Sequence, residues 1–313
     1  MKILCPKPIQ KGDTVGLISP SSPIKEQEIE AGVHLLKSNG FKVKYAKHIF
    51  ASERFLAGKD SDRAHDVMDF FKDPEVKAII ATRGGQGSQR LLPFLDYELI
   101  KKNPKQLFGF SDTTALQLGL FKNSGLVSYT GFTLTVHLST QVKKTLLSSL
   151  LGQKYKISKG IKVHAGVSRG PLLGGNLTLM TNLMGTPYLP SFKGSILLLE
   201  DVGVEPYNID GMLSQLDLAG IFDEVSGVIF GTFEHCKSKK SNQSDGTVED
   251  VINEWASKLK VPCIKEFPYG HSKKNCILPD WQIDYFRCRY YLRYNSKLTR
   301  RNKQLMKLMS ALF

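Results

Sequence analysis

Apolar positions in the first half of the chain alternate between short runs and helical spacings. Residues 14–18 (TVGLI) form an apolar run that stops at Ser19-Pro20-Ser21-Ser22-Pro23, the pattern of a strand followed by a turn. Over 24–38 the apolar residues Ile29, Val33, Leu35 and Leu36 recur at helical spacing, and Asn39-Gly40 closes the segment. The pattern then predicts a strand over 41–46 and a helix over 61–71 that stops at Asp73-Pro74. Strands follow over 76–81 and 107–110, and a helix over 112–122 with Leu116, Leu118, Leu120 and Phe121 on or near its buried side. Such alternation implies an α/β fold, a parallel sheet covered by helices on both faces. In such sheets functional groups collect at the carboxyl ends of strands. Two of these ends carry unusual residues here: the loop after Ala81 and the loop after Phe110.

Between 142 and 167 the pattern weakens into Lys, Ser and Gly. This predicts an N-terminal α/β domain over 1–141, a linker over 142–167 and a second domain over 168–313. The second half opens with a Gly-rich entry into a helix (Leu173-Gly174-Gly175-Asn176-Leu177), then a strand over 195–199 that ends at Glu200-Asp201. A helix over 209–218, a strand over 225–230, a helix over 248–259 and a strand over 261–267 complete it. No internal repeat is present. The stretch 297–313 is basic and then apolar, a pattern for a terminal amphipathic helix or a packed or frayed tail.

Composition narrows the class. Hydrophobic residues make up 41% of the 313 and charged residues 23%, enough apolar content to exclude a disordered chain. No run approaches the ~18–20 apolar residues that span a bilayer. Residues 1–7 lack the apolar stretch of a signal peptide, so the expected location is cytoplasmic and no membrane partner is expected. The five cysteines, Cys5, Cys236, Cys263, Cys276 and Cys288, are odd in number and widely spaced without C-x-x-C, which argues for reduced thiols rather than disulfides or a zinc site. No H-E-x-x-H or similar pattern occurs, and no metal or other cofactor is expected. Lys and Arg exceed Asp and Glu, 43 to 29, for a formal net charge of +14. The basic runs are short and no nucleic-acid-binding motif accompanies them, so the expectation is no nucleic-acid partner and a positive field that helps collect an anionic substrate.

Candidate chemistry lies at three places. In Gly109-Phe110-Ser111-Asp112-Thr113 an apolar strand runs into a serine and then directly into a helix, which lifts the hydroxyl above the sheet and leaves the following N–H groups at a helix N-terminus. Only half of a G-x-S-x-G elbow is present, and on this fragment alone a capping serine is the better reading. Arg83-Gly84-Gly85-Gln86-Gly87 lets backbone approach a ligand closely. It is a tight turn or, if its strand neighbours that of Ser111, the source of a second oxyanion N–H. Glu200 at a strand end and His271 in a loop are, singly, most often an exposed acid and a solvated imidazole. Together, Ser111, Glu200 and His271 permit a nucleophile–base–acid relay, which spacing alone does not establish.

These residues resemble the LD-carboxypeptidases and their relatives, the microcin C self-immunity proteins. The ordered motifs are Lys11-Gly12-Asp13-Thr14-Val15, Arg83-Gly84-Gly85-x-Gly87 with Arg90-Leu91-Leu92-Pro93, Gly109-Phe110-Ser111-Asp112, Leu173-Gly174-Gly175-Asn176-Leu177, Leu199-Glu200-Asp201-Val202 with Pro206-Tyr207, and Gly270-His271 with Asn275. The resemblance implies a serine peptidase with Ser111 as nucleophile, Glu200 as acid and His271 as base. It implies an oxyanion hole from the N–H groups of Gly85 and Asp112, and a smaller C-terminal domain with β-barrel character. Its usual reaction removes the terminal D-alanine of a murein tetrapeptide in cytoplasmic cell-wall recycling, and a homodimer is expected. Arg83 is the candidate carboxylate partner, and Gln86, where the family often has an aromatic residue, bears on substrate contacts. Gly131 precedes Phe132 where proline is common, and Pro279 precedes Asp280 where glycine is usual. Two alternatives stand beside this reading. One is a microcin-immunity-like hydrolase of acyl-sulfamoyl or phosphoramidate nucleotides, disfavoured because neither Trp255 nor Trp281 falls in 142–167; the other is a non-catalytic peptide-binding protein on the same fold.

Overall fold

The computed structural model describes residues 2–157, 159–239 and 246–279. Its first half runs β1 (Thr14–Ile18), α1 (Glu26–Ser38), β2 (Lys42–Tyr45), α2 (Asp60–Lys72), β3 (Val76–Ala81), α3 (Tyr97–Lys102), β4 (Gln106–Gly109), α4 (Thr113–Ser124), β5 (Tyr129–Thr130) and α5 (Thr140–Leu150), with a 3-10 helix over Ser88–Phe94. The second half runs β6 (Ile161–His164), β7 (Leu172–Asn176), α6 (Leu177–Asn182), β8 (Ile196–Val202), α7 (Pro206–Leu218), α8 (Ile221–Glu224), β9 (Gly227–Glu234), α9 (Val248–Lys258), β10 (Cys263–Lys265) and β11 (Leu278–Pro279).

Two mixed, mostly parallel sheets result. The first has the order β11-β5-β4-β3-β1-β2 and the second β6-β10-β9-β8-β7. The antiparallel pairs are β11 with β5 and β10 with β6. The central strands β1, β3, β4 and β8 are almost wholly buried runs, as strands covered on both faces must be. Side chains from both halves, among them Leu17, Ile79, Phe108, Leu116, Leu177, Leu197 and Phe230, share one continuous core.

Three expectations change and one gains detail. The second sheet is open, with β6 and β7 at its ends, so a closed barrel is not what the described residues build. The stretch 142–167 contains most of α5 and all of β6; the amphipathic face of α5 buries Val142, Leu146 and Leu150, a stripe thinned in sequence by its lysines and serines. The Gly-rich entry leads into α6 at Leu177 as expected, and it is itself strand β7, in which Gly174 and Gly175 adopt φ of 122° and 138° and lie against neighbouring backbone and side chains where a Cβ would collide. Strand β8 continues through Glu200 and Asp201 rather than ending before them. Residues 280–313, including the 297–313 tail, Asp280, Trp281 and Cys288, lie outside the described residues.

Candidate active site

Strands β3 and β4 pair in parallel, so the loops that leave them are neighbours. The loop after β3 carries Arg83, Gly84 and Gly85, and the loop after β4 carries Ser111. Gly84 is backed directly onto the serine: a Cβ there would fall 2.8 Å from Ser111 Cβ and 3.1 Å from its Oγ. Ser111 itself adopts φ 63°, a left-handed conformation that costs a non-glycine residue ~1–3 kcal/mol and recurs at functional turns. The turn is tight enough that a Cβ on Gly109 would meet Thr113 Oγ1 at 2.4 Å. Ser111 does not cap α4: no side-chain cap bond is made there, and its hydroxyl goes elsewhere.

That hydroxyl lies 3.0 Å from His271 Nε2, and His271 Nδ1 lies 2.8 Å from Glu200 Oε2. The three residues come from the end of β4, from within β8 and from the loop after β10, and the two halves of the chain meet at them. Glu200 is not an exposed strand-end acid; it is fully buried. The register of β8 against β9 shifts between Leu199 and Asp201, a bulge that redirects the intervening side chain. Asn176 Nδ2, at the end of the adjacent β7, donates to Glu200 Oε1 at 3.2 Å and to Asp201 Oδ1 at 3.0 Å. Gly270, at φ 137°, brings the chain past Thr232 and Glu200 too closely for any Cβ, and so delivers His271 to the carboxylate. Phe110 packs on the imidazole with ring centroids 4.6 Å apart.

Electrostatics follow from burial and this pairing. Burial pushes the Glu200 carboxyl upward, against the hydrogen bond from His271. Burial by itself would lower the His271 imidazole; the Glu200 hydrogen bond and charge, with the charges of Asp201 and Glu234, outweigh it and hold the imidazole above its ordinary value. The couple therefore retains its shared proton more firmly than either group would alone.

A cleft of about 280 Å³ opens over Ser111. Arg83, His137 and Lys273 put basic groups on its lining, beside Thr133, Thr135 and Val136. Arg83 is oriented by Pro23 O, 3.3 Å from its Nη1, and by Glu28 at 3.9 Å. Gly85 lines the cleft, and among the described residues neither its N–H nor that of Asp112 has an intramolecular acceptor. Gln86 is exposed and outside the lining; its N–H donates to Ser22 Oγ. Sequence reasoning passed over Thr133, Thr135 and His137, which lie in an irregular stretch after β5 with no motif to flag them, and it treated Asn176 only as part of a motif. Among the described residues no group of three or more His, Cys, Asp or Glu side chains is placed to hold a metal ion. No helix among them is long and apolar enough to cross a membrane.

Such a constellation, a hydroxyl on a strained strand-to-helix turn with an imidazole and a buried carboxylate behind it, suits acyl transfer through a covalent intermediate. Comparison with known proteins identifies the family. Residues 15–131 match the LD-carboxypeptidase N-terminal domain and residues 169–280 the LD-carboxypeptidase C-terminal domain. A probable murein peptide carboxypeptidase of Bacillus subtilis is 32% identical over 283 residues, covering 88% of each chain. A murein tetrapeptide carboxypeptidase of Pseudomonas aeruginosa is 32% identical over 281 residues, covering 85% of this chain and 90% of its own. The microcin C7 self-immunity protein MccF of Escherichia coli is 28% identical over 313 residues, covering 87% of this chain and 90% of its own. A solved structure of MccF in complex with glutamyl sulfamoyl guanosine superposes with a TM-score of 0.79 at 27% identity, covering 88% of this chain and 92% of its own. Both halves of the chain thus match in order, and the protein belongs to the LD-carboxypeptidase family, the S66 peptidases.

Proposed function

We propose that this protein is a serine-type LD-carboxypeptidase that removes the terminal D-alanine from murein tetrapeptides in cytoplasmic cell-wall recycling. The observation that carries the reading is the Ser111–His271–Glu200 chain of contacts, 3.0 and 2.8 Å long, at the floor of a cleft lined with basic groups. Ser111 Oγ attacks the carbonyl of the L,D amide while His271 Nε2 takes its proton. Glu200 holds the Nδ1–H and stabilises the imidazolium. The N–H groups of Gly85 and Asp112 receive the oxyanion, a role in which one donor is worth ~10²–10³ in kcat. His271 then returns the proton to the departing D-alanine nitrogen, and water, deprotonated by the same imidazole, releases the shortened peptide. Arg83 and Lys273 provide positive charge for the carboxylate of the departing residue, which favours cleavage at a free chain end. The same reading assigns the nucleophile to an N-terminal unit over 1–141 and the acid and base to a unit over 168–313, in a homodimer.

Incubation with a murein tetrapeptide should release free D-alanine with the wild type and none above background with Ser111→Ala. No release by the wild type, or equal release by both, rejects the assignment. The fold similarity to the MccF complex favours a second reading, hydrolysis of an aminoacyl-sulfamoyl nucleotide. Turnover of such a nucleotide at a kcat/KM above that of the tetrapeptide selects it. Binding of peptide without cleavage, and without labelling of Ser111 by a fluorophosphonate, would leave a peptide-binding protein.

A further inference from the structure

The carboxylate of Asp112, the residue directly after Ser111, is fully buried yet makes no contact with the His271–Glu200 pair. It accepts instead from Ser21 Oγ at 2.6 Å, from Ser88 N at 2.8 Å and from Gly87 N at 3.1 Å. Ser88 Oγ returns a bond to the Asp112 carbonyl at 2.6 Å. On the far side of the same loop the buried guanidinium of Arg63 donates through Nη1 to Gly87 O at 3.1 Å and also to Pro20 O, while Nη2 pairs with Asp60. Gly87 is therefore held from both ends, its N–H by an anion and its carbonyl by a cation. Gly87 sits at φ 111°, and a Cβ there would meet Leu56 and Arg63. Ser22 closes the remaining side: its Oγ accepts from Gln86 N at 3.0 Å, and it leaves no room for a Cβ on Gly85.

Taken together, these bonds tie three separate segments, 20–22, 84–88 and 111–112, into one rigid piece. Ser111 sits in the last, and Gly85, whose N–H has no acceptor among the described residues, sits in the second. The geometry points to Asp112 and Arg63 as a two-charge clamp that sets the Gly85 N–H relative to Ser111 Oγ, so that Asp112 serves as a positioning residue through its side chain in addition to any role of its backbone N–H. The inference rests on the hydrolase reading, because a hole needs an oxyanion to hold. Buried charges that bond backbone on both sides of a loop give a fixed geometry, and a displacement near 1 Å at a reacting centre costs ~10² in rate.

The test is the rate at which a fluorophosphonate labels Ser111, measured beside kcat and KM on the tetrapeptide, for wild type and Asp112→Asn. The amide keeps the size of the side chain and removes its charge. Labelling and kcat should both fall about 10²-fold with KM within about threefold. The acid limb of the pH profile should stay in place, since the charges that raise His271 are those of Glu200, Asp201 and Glu234. Ser21→Ala and Ser88→Ala each delete one bond of the clamp and cover the case in which Asp112→Asn does not fold; each should slow labelling about 5- to 10-fold. Wild-type labelling rates in the folded variants, a loss confined to KM, or a moved acid limb would overturn the clamp. If the wild type labels at Ser111 but releases no D-alanine, the substrate assignment fails while the labelling rates still decide the clamp. A wild type that does not label overturns both.

Discussion

Ser111, His271 and Glu200 show how much a side chain's chemistry depends on what lies within 3 Å of it. A serine hydroxyl is a weak nucleophile, and a buried glutamate has no evident purpose until an imidazole is set between them. The base must be neutral to accept the serine proton, and its pKa in the fold is raised, so activity should grow with pH through a midpoint above the ordinary histidine value of about 6.5. In Glu200→Gln the hydrogen bond and the charge that raise the imidazole are lost while its burial remains. The acid limb of kcat/KM should therefore move to lower pH, and kcat should fall by as much as ~10⁴ where the amide favours the wrong tautomer. A limb that stays in place on a pH–rate profile would show that Glu200 does not govern His271. The same raised pKa carries a stability consequence of fixed sign: the contribution of the protonated pair is complete below the unfolded histidine value and is lost as pH rises through the folded one.

At the scale of elements, the site depends on loops that leave adjacent parallel strands and on glycines that let them touch. The close approach of Gly84 to Ser111 is the sharpest case, because Gly84 is not at positive φ and alanine there is excluded by the neighbour alone. Gly84→Ala should reduce kcat about 10²-fold and destabilise by about 1–3 kcal/mol as the loop or the serine gives way. Steady-state kinetics and urea unfolding together check this; an unchanged kcat would mean that the loop after β3 is free to retreat without consequence. Much of this level could be read along the chain. The strand over 14–18, the helix before Asn39-Gly40 and the strand over 76–81 are bounded by Pro, Gly and Asn, which punctuate a chain locally. The strand of Gly174-Gly175 and the helix over 140–150 were not readable in this way, because the first is made by a close approach of neighbouring backbone and the second has its apolar stripe diluted by lysine and serine.

For the whole molecule, the decisive feature is that the C-terminal half returns to the first sheet. Strand β11 pairs with β5, and Tyr269 OH and Thr130 Oγ1 lie 2.6 Å apart just below the site. Asn275 is the staple: its Nδ2 donates to Gly131 O at 2.8 Å, while its Oδ1 accepts from Gly270 N at 3.3 Å and Cys276 N at 2.8 Å. Gly270 to Asn275 is the loop that holds His271, so the contact that joins the two halves also frames the base. Asn275→Ala leaves buried partners unsatisfied and should cost about 1–3 kcal/mol, visible as a lower denaturation midpoint, with kcat reduced alongside. Unchanged stability would show that water or a local shift replaces the side chain.

The residue pattern by itself determined the alternation of elements, the chemical types at the turns, and a set of ordered motifs sufficient to suggest a family. These are local properties, set by periodicity, turn chemistry and spacing. Only the tertiary structure decided that a serine, an imidazole and a carboxylate separated by 89 and 71 positions stand in hydrogen-bond contact, that Glu200 is buried rather than exposed, and that Asp112 faces Gly87 and Ser88 instead of capping its helix. Distances between side chains are fixed by sheet order, by a bulge at Glu200 and by glycines that allow backbones to touch, and none of these is encoded within the few residues on either side of the groups they bring together.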